Sequence, residues 1–213
     1  MKWDLLANLC GHSLENRQNN RGMVEDMYIE RILNRLRYDW PLHFIMILTS
    51  WLPNSVTSYR IRGMLTRPFF GSCGTNFRIN RHVEFLNASS IKIGKNVFIA
   101  VGCVFLAMDD ILIGDEVMFG PYVVVTSGKH TKVNGSYRFS PEEKTPIKIG
   151  SGTWIGANTT ITAGATIGSG CVIGCNAAVT RGNIPDNAFA AGVPAIIKKI
   201  DKDLPIDLPI YAK

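Results

Sequence analysis

Apolar residues recur at every sixth position in the second half of the chain: Ile149, Ile155, Ile161, Ile167, Ile173 and Val179. Gly150, Gly156, Gly168 and Gly174 follow four of them, and small residues (Thr153, Thr159, Ala165, Cys171 and Ala177) stand four places beyond the first five. A period of six fits neither the period of an α-helix nor the alternation of a half-buried strand. It fits a coil of short strands in which every sixth side chain points to the axis, with three hexads, about 18 residues, closing one triangular turn. The same beat runs through Ile93, Ile99 and Phe105, through Ile113, Phe119 and Val125, and less cleanly through Ile79, Phe85 and Ile91. Between Phe105 and Ile113 the step is eight, which puts two extra residues in one corner. The pattern predicts a mainly β fold: a parallel β-helix of about five turns over residues 77–184.

From Ser127 to Pro146 the beat stops. Gly128, His130, Asn134, Gly135, Ser136, Pro141 and Pro146 fall here, a density of turn formers that marks a loop at about 127–146 thrown out from a corner. Residues 1–76 read as a helical and irregular N-terminal extension. Val24, Met27, Tyr28, Ile32, Leu33 and Leu36 recur at helical spacing, and Pro41 is expected to interrupt the helix. Leu42–Leu48, with Trp51 and Leu52, is too apolar for a solvated loop and too short to span a bilayer. Two readings stay open for it. It caps the open end of the prism, burying Phe44, or it lies on an anionic membrane surface with Trp51, Arg60, Arg62 and Arg67 at the interface. In residues 185–213 the prolines at 185, 194, 205 and 209 prevent one long helix.

Composition adds limits. A chain of 213 residues, 46% apolar and 19% charged, can bury a real core. Net charge of +6 suits anionic partners without choosing among them. Five scattered cysteines with no CxxC, and no signal-like N-terminus, suggest reduced thiols and a cytoplasmic protein. The four histidines are too far apart in sequence to suggest a metal site. Basic residues are not interleaved with aromatic ones on the repeats, which argues against nucleic acid as a partner.

The region from about Ile79 to Lys199 resembles the hexapeptide-repeat acyltransferases. The likeness is to the sugar O-acetyltransferases of galactoside, maltose and nodulation-factor type and to those acting on bacterial polysaccharides. It is carried by Ile113-Gly114-Asp115, Phe119-Gly120-Pro121, the His130 loop, Thr153-Trp154-Ile155-Gly156 and Ala191-Gly192-Val193-Pro194-Ala195. The resemblance implies a left-handed parallel β-helix, a homotrimer with a coenzyme A groove between neighbours, and transfer of an acetyl group from acetyl-CoA to a saccharide acceptor in cell-surface polymer synthesis. Such chemistry needs a base at the hydroxyl, and His130 stands where the last hexad of a turn enters the loop. Asp110 is five residues past Phe105, as His130 is five past Val125, so stacked turns would place it about 4.8 Å from His130, to orient it or hold the sugar. Ala157 and Cys175, 18 apart, would stack as the small floor of a pantetheine groove, with Thr180, Arg181 and Lys199 further up and Trp154 as a wall. The asparagine and tyrosine of the family's acceptor pocket are missing, since that stretch reads Ile99-Ala100-Val101-Gly102. A γ-type carbonic anhydrase shares the fold but needs three metal histidines. An N-acetyltransferase of a nucleotide-linked amino sugar, and a catalytically silent scaffold, remain as alternatives.

Overall fold

The computed structural model describes residues 29–30, 32–138 and 140–201; the expected helical stretch before Ile29 and the prolines at 205 and 209 lie outside them. Helical backbone covers 29–30 and 32–48. Pro41 does not end it. Proline has no N–H and crowds the carbonyl four residues back, and the helix accommodates this by widening to a π-type turn over Arg35–Asp39, so that Pro41 enters at the first turn of α1 (Trp40–Leu48). A second helix, α2 (Val56–Thr66), starts at Ser55, whose hydroxyl accepts from the Ser58 N–H at 3.2 Å.

The coil then rises in six levels, one more than expected. Level one is β1 (Ser72–Cys73), β2 (Arg78–Ile79) and β3 (Glu84–Leu86); level two is β4 (Ile91–Ile93), β5 (Phe98–Ile99) and β6 (Val104–Leu106); level three is β7 (Ile111–Ile113), β8 (Met118–Phe119) and β9 (Val124–Thr126). A hairpin of β10 (Gly128–His130) and β11 (Glu142–Lys144) interrupts. Level four is β12 (Ile147–Ile149), β13 (Trp154–Ile155) and β14 (Thr160–Thr162); level five is β15 (Ala165–Ile167), β16 (Val172–Ile173) and β17 (Ala178–Val179). Level six is β18 (Gly182–Ile184) and β19 (Ala188–Ala191), and β20 (Ile196–Ile200) pairs antiparallel with β19. Strands of successive levels pair in parallel to make three sheets, called here first, second and third after the strand order within a level. The second sheet ends in β20, so its last parallel strand is not left open as an edge.

Inside, Ile79, Ile99, Phe119, Ile155 and Ile173 stack along one wall, and Phe105, Val125 and Ile161 along the next; all are fully buried. The lower levels are filled by an aromatic ladder: the Phe85 and Phe105 rings stack at 5.3 Å and Phe119 meets Phe105 edge-on at 5.2 Å. The small hexad positions are where corners close on the axis. The buried hydroxyls of Thr153 and Thr159 donate there to the carbonyls of Gly168 (2.8 Å) and Gly174 (3.1 Å), which removes the cost of burying them. The corner between first and second sheets needs a left-handed residue at each level, met by Asn76, Asn96, Glu116, Gly152, Gly170 and Asn187.

The extension caps the open end, and its inward face is not the expected one. Leu42, Met46 and Thr49 are buried, while Phe44 is 54% exposed. Arg62 is not an interface residue either. It is fully buried, its guanidinium donating to the Thr49 carbonyl at 2.8 Å and to that of Leu52 at 3.2 Å, and so ties α2 to the end of α1. Asp39 anchors the extension to the prism: its carboxylate accepts the backbone N–H groups of Asn87 (3.2 Å) and Ala88 (2.9 Å). No helix among the described residues is long and apolar enough to cross a membrane.

Candidate active site

Level one pairs with level two, and two with three, at a spacing of twenty residues: Ser72 with Lys92, Lys92 with Leu112. The extra residues sit at the corner between third and first sheets, in Asn87–Ser90 and again in Ala107–Asp110. The hairpin leaves from that same corner on level three. Ser127, fully buried, pins its exit: Oγ accepts the Asp109 N–H and donates to the Asp109 carbonyl, both at 2.8 Å. The Ser127 carbonyl accepts the Thr145 N–H at 3.0 Å where the chain returns. Within the hairpin Gly128 is opposite Lys144, Lys129 opposite Glu143, and His130 opposite Glu142. Directly opposed residues share a face. His130, Glu142 and Lys144 therefore occupy one face, and Lys129 and Glu143, whose charges stand 3.7 Å apart, the other.

The hairpin divides this edge of the prism into two clefts. Toward level one lies a polar cavity of about 230 Å³, walled by Asn87, Ser89 and Ser90 of the corner, Glu142 and Lys144 of the hairpin, and Asn34 and Arg35 of the extension. Toward level six lies one of about 360 Å³, walled by Lys129, Glu143, Thr162, Ala163, Thr180 and Arg181. His130 itself is exposed.

The register does not stack His130 on Asp110. Ile111 pairs with Ile147, so the column above Asp110 is continued by Pro146, and the Ile147 N–H donates to the Asp110 carbonyl at 3.0 Å. The inserted hairpin has carried His130 out of the column. The Asp110 carboxylate instead meets Lys92 Nζ at 2.8 Å. Glu142 is the carboxylate that faces His130, and sequence reasoning missed it because the register of two short polar strands leaves no periodic trace. Arg35 was missed because its place depends on how the extension docks.

Ala157 and Cys175 do stack. Ile155 pairs with Ile173, and the Asn176 N–H donates to the Ala157 carbonyl at 2.9 Å. Thr180 and Arg181 are at the next corner, across the third sheet, rather than further up the same groove. Trp154, 47% exposed, stands between Met118 and Val172 on the outer face of the second sheet. Lys199 pairs with Phe189 at the top of that sheet and reaches Asp201 at 3.6 Å. At the missing acceptor contacts, Gly102 lies under the Tyr122 ring, and a Cβ there would come within 2.4 Å of it. Burial pushes the Cys73 and Cys103 thiols up to about 11, so both remain neutral at ordinary pH.

Residues 146–181 match the bacterial transferase hexapeptide family (six repeats). The galactoside O-acetyltransferase of Escherichia coli is 30% identical over 144 residues, covering 67% of this chain and 70% of the relative. The chain belongs to the hexapeptide-repeat acetyltransferases. Among solved structures of the family, a maltose O-acetyltransferase from Clostridium difficile superposes with a TM-score of 0.68 at 30% identity, over 79% of this chain and 88% of that one. A hexapeptide-repeat acetyltransferase of Vibrio cholerae in complex with acetyl coenzyme A gives a TM-score of 0.67 at 26% identity, over 78% of this chain and 87% of that one. This membership makes the protein an acyltransferase built on a left-handed parallel β-helix.

Proposed function

We propose that the protein transfers an acetyl group from acetyl-CoA to a sugar hydroxyl in cell-surface polysaccharide synthesis, with His130 as general base. The observation that supports this most directly is the placement of His130 and Glu142 on one face of a hairpin that separates two clefts, one polar and one bearing Thr180 and Arg181. The relative from Vibrio cholerae binds acetyl coenzyme A, and the galactoside and maltose enzymes act on sugars by their names. The acceptor hydroxyl attacks the thioester carbonyl carbon. His130 takes the hydroxyl proton as the new C–O bond forms, the C–S bond breaks, and the imidazolium returns the proton to the departing thiolate. Arg181 and Lys199 offer cations to the phosphates of coenzyme A, Thr180 a hydroxyl, and Ala157 and Cys175 a floor low enough for the pantetheine arm, with Trp154 beside it. The test is acetyl-CoA turnover against free, nucleotide-linked and lipid-linked sugars. Preference for an amino sugar would favour the N-acetyltransferase alternative, and no turnover with any acceptor would favour a silent scaffold.

Glu142, opposite His130 in the hairpin, takes the orienting part in place of Asp110. Glu142→Gln should lower kcat/KM about tenfold through kcat, with the thermal midpoint unchanged, since Glu142 is on a hairpin outside the coil. An unchanged kcat would remove Glu142 from the site.

Two corners on either side of one sheet cannot floor a single straight groove of one chain. A groove that uses Ala157 and Cys175 together with Thr180 and Arg181 forms between neighbours, which supports a homotrimer. Light scattering should give three times the chain mass, and a fully active monomer would contradict it.

Peripheral contact with the inner face of the membrane fits the same reading. Ile47, Leu48 and Trp51 are 53%, 70% and 78% exposed, and residues 32–83 carry, besides the buried Arg62, six arginines against one carboxylate, Asp39. Flotation with anionic vesicles should be lost on Leu48→Ser with Trp51→Ser; flotation unchanged by both would refute contact through this face.

A further inference from the structure

The polar cavity beneath the hairpin shares a wall with a second cavity. Arg35 lines both, and the second, about 560 Å³, has as its other walls Asp39, Trp40, His43, Phe44, Phe85 and Leu86. The two spaces meet along the chain as well, since Leu86 of one precedes Asn87 of the other. Their chemistry is opposed. The first is walled by amide, hydroxyl and charged side chains with one apolar residue, Met108, the second mainly by aromatic and aliphatic ones. Trp40 and Phe44, which are 56% and 54% exposed, meet edge-on at 6.4 Å, with His43 6.2 Å from Phe44. Half-exposed aromatics in a concave wall are where an apolar group gains most on binding.

The guanidinium of Arg35 stands where the two cavities share a wall. Arg35 has no ion-pair partner among the described residues, and the nearby Asp39 carboxylate is already occupied by the Asn87 and Ala88 N–H groups. A guanidinium so placed suits a phosphate or carboxylate. A ligand matching this order has a hydroxylated part beside Asn87, Ser89 and Glu142, an anionic link at Arg35, and an apolar chain against Trp40 and Phe44.

We propose that the acceptor is amphiphilic: a saccharide joined through an anionic link to an apolar chain, the chain lying between α1 and the third sheet. This rests on the acetyl-transfer reading for its purpose but not for its test. Decyl phosphate, decanol and inorganic phosphate, each below any micelle-forming concentration, are titrated into the full chain by calorimetry without acetyl-CoA. Decyl phosphate should bind at least about tenfold tighter than either of the others. Trp40→Ala and Phe44→Ser should each weaken it about tenfold, and Arg35→Gln should bring decyl phosphate down to the level of decanol. Both aromatics are half exposed, so these variants should keep the circular dichroism of the parent.

Equal affinity for decyl phosphate and inorganic phosphate, or binding indifferent to Trp40, Phe44 and Arg35, would overturn the proposal. So would binding that falls only when Leu48 and Trp51 are changed to serine, because that places the apolar chain on the outer surface of α1. Loss of decyl phosphate binding with acetylation of a free sugar intact sinks this inference alone. Intact binding with no acetyl transfer to any acceptor sinks the activity alone.

Discussion

Replacing His130 by alanine should lower acetyl transfer by about 10²–10⁴-fold, the usual worth of a positioned general base, and leave the fold unchanged. The side chain is exposed on a hairpin outside the coil, so its loss creates no cavity and breaks no core contact. Acetyl-CoA should still bind, because the residues proposed to hold it, Thr180, Arg181, Ala157 and Cys175, are untouched. The informative measurement is therefore kcat with saturating donor and acceptor, alongside the thermal midpoint. A fall in turnover with an unchanged midpoint supports the assignment. Near-normal turnover would remove His130 as the base, and a large drop in midpoint would mean that the hairpin is structural.

The coil was legible because a period of six has a single geometric solution, and each hexad reports it independently. Ile149 to Val179 could be read without knowing what they pack against. The count of levels was low because level one begins at Ser72–Cys73, where a two-residue strand carries too little pattern to extend the beat. The hairpin was legible as an interruption, but its register was not. Strand pairs such as Lys129 with Glu143 and His130 with Glu142 are polar on both faces, and alternation then says nothing about pairing. That is also why Asp110 was aligned with His130: counting five residues past each anchor assumes an unbroken coil, and the insertion begins between the anchor and the histidine. The extension was the least legible part. Phe44 and Met46 are equally apolar in sequence, and only docking on the prism decides that Met46 is buried and Phe44 exposed. Arg62 reads as a surface cation until Thr49 and Leu52 present it with two carbonyls. The clefts flanking the hairpin bring together residues more than fifty positions apart, which no local pattern encodes.

Phe105→Ala should destabilise the protein by about 3–5 kcal/mol, the range for removing a fully buried phenylalanine. Its ring has no exposure and lies between Phe85, stacked at 5.3 Å, and Phe119, edge-on at 5.2 Å. Phe119 cannot relax far into the gap, since β8 is paired above and below, and Phe85 is in β3, paired with β6 itself. In a coil one chain-width across, no second layer of side chains exists to refill the space, so the cavity term adds to the lost transfer energy. Phe105→Leu keeps most of the volume and should cost less than half as much. Phe98, on the outer face of level two and in contact with Tyr59 at 5.8 Å, provides the control, and its alanine variant should cost less than Phe105→Ala. Urea unfolding should show a lower midpoint for Phe105→Ala with an unchanged slope. The effect on activity should take a different form from that of His130→Ala. β6, which carries Phe105, pairs with β9, and the hairpin springs from the end of β9, so turnover per folded molecule should stay close to the parent at low temperature. It should then fall with the folded fraction as temperature rises. A Phe105→Ala protein as stable as the parent would mean that the aromatic ladder does not hold the lower levels together.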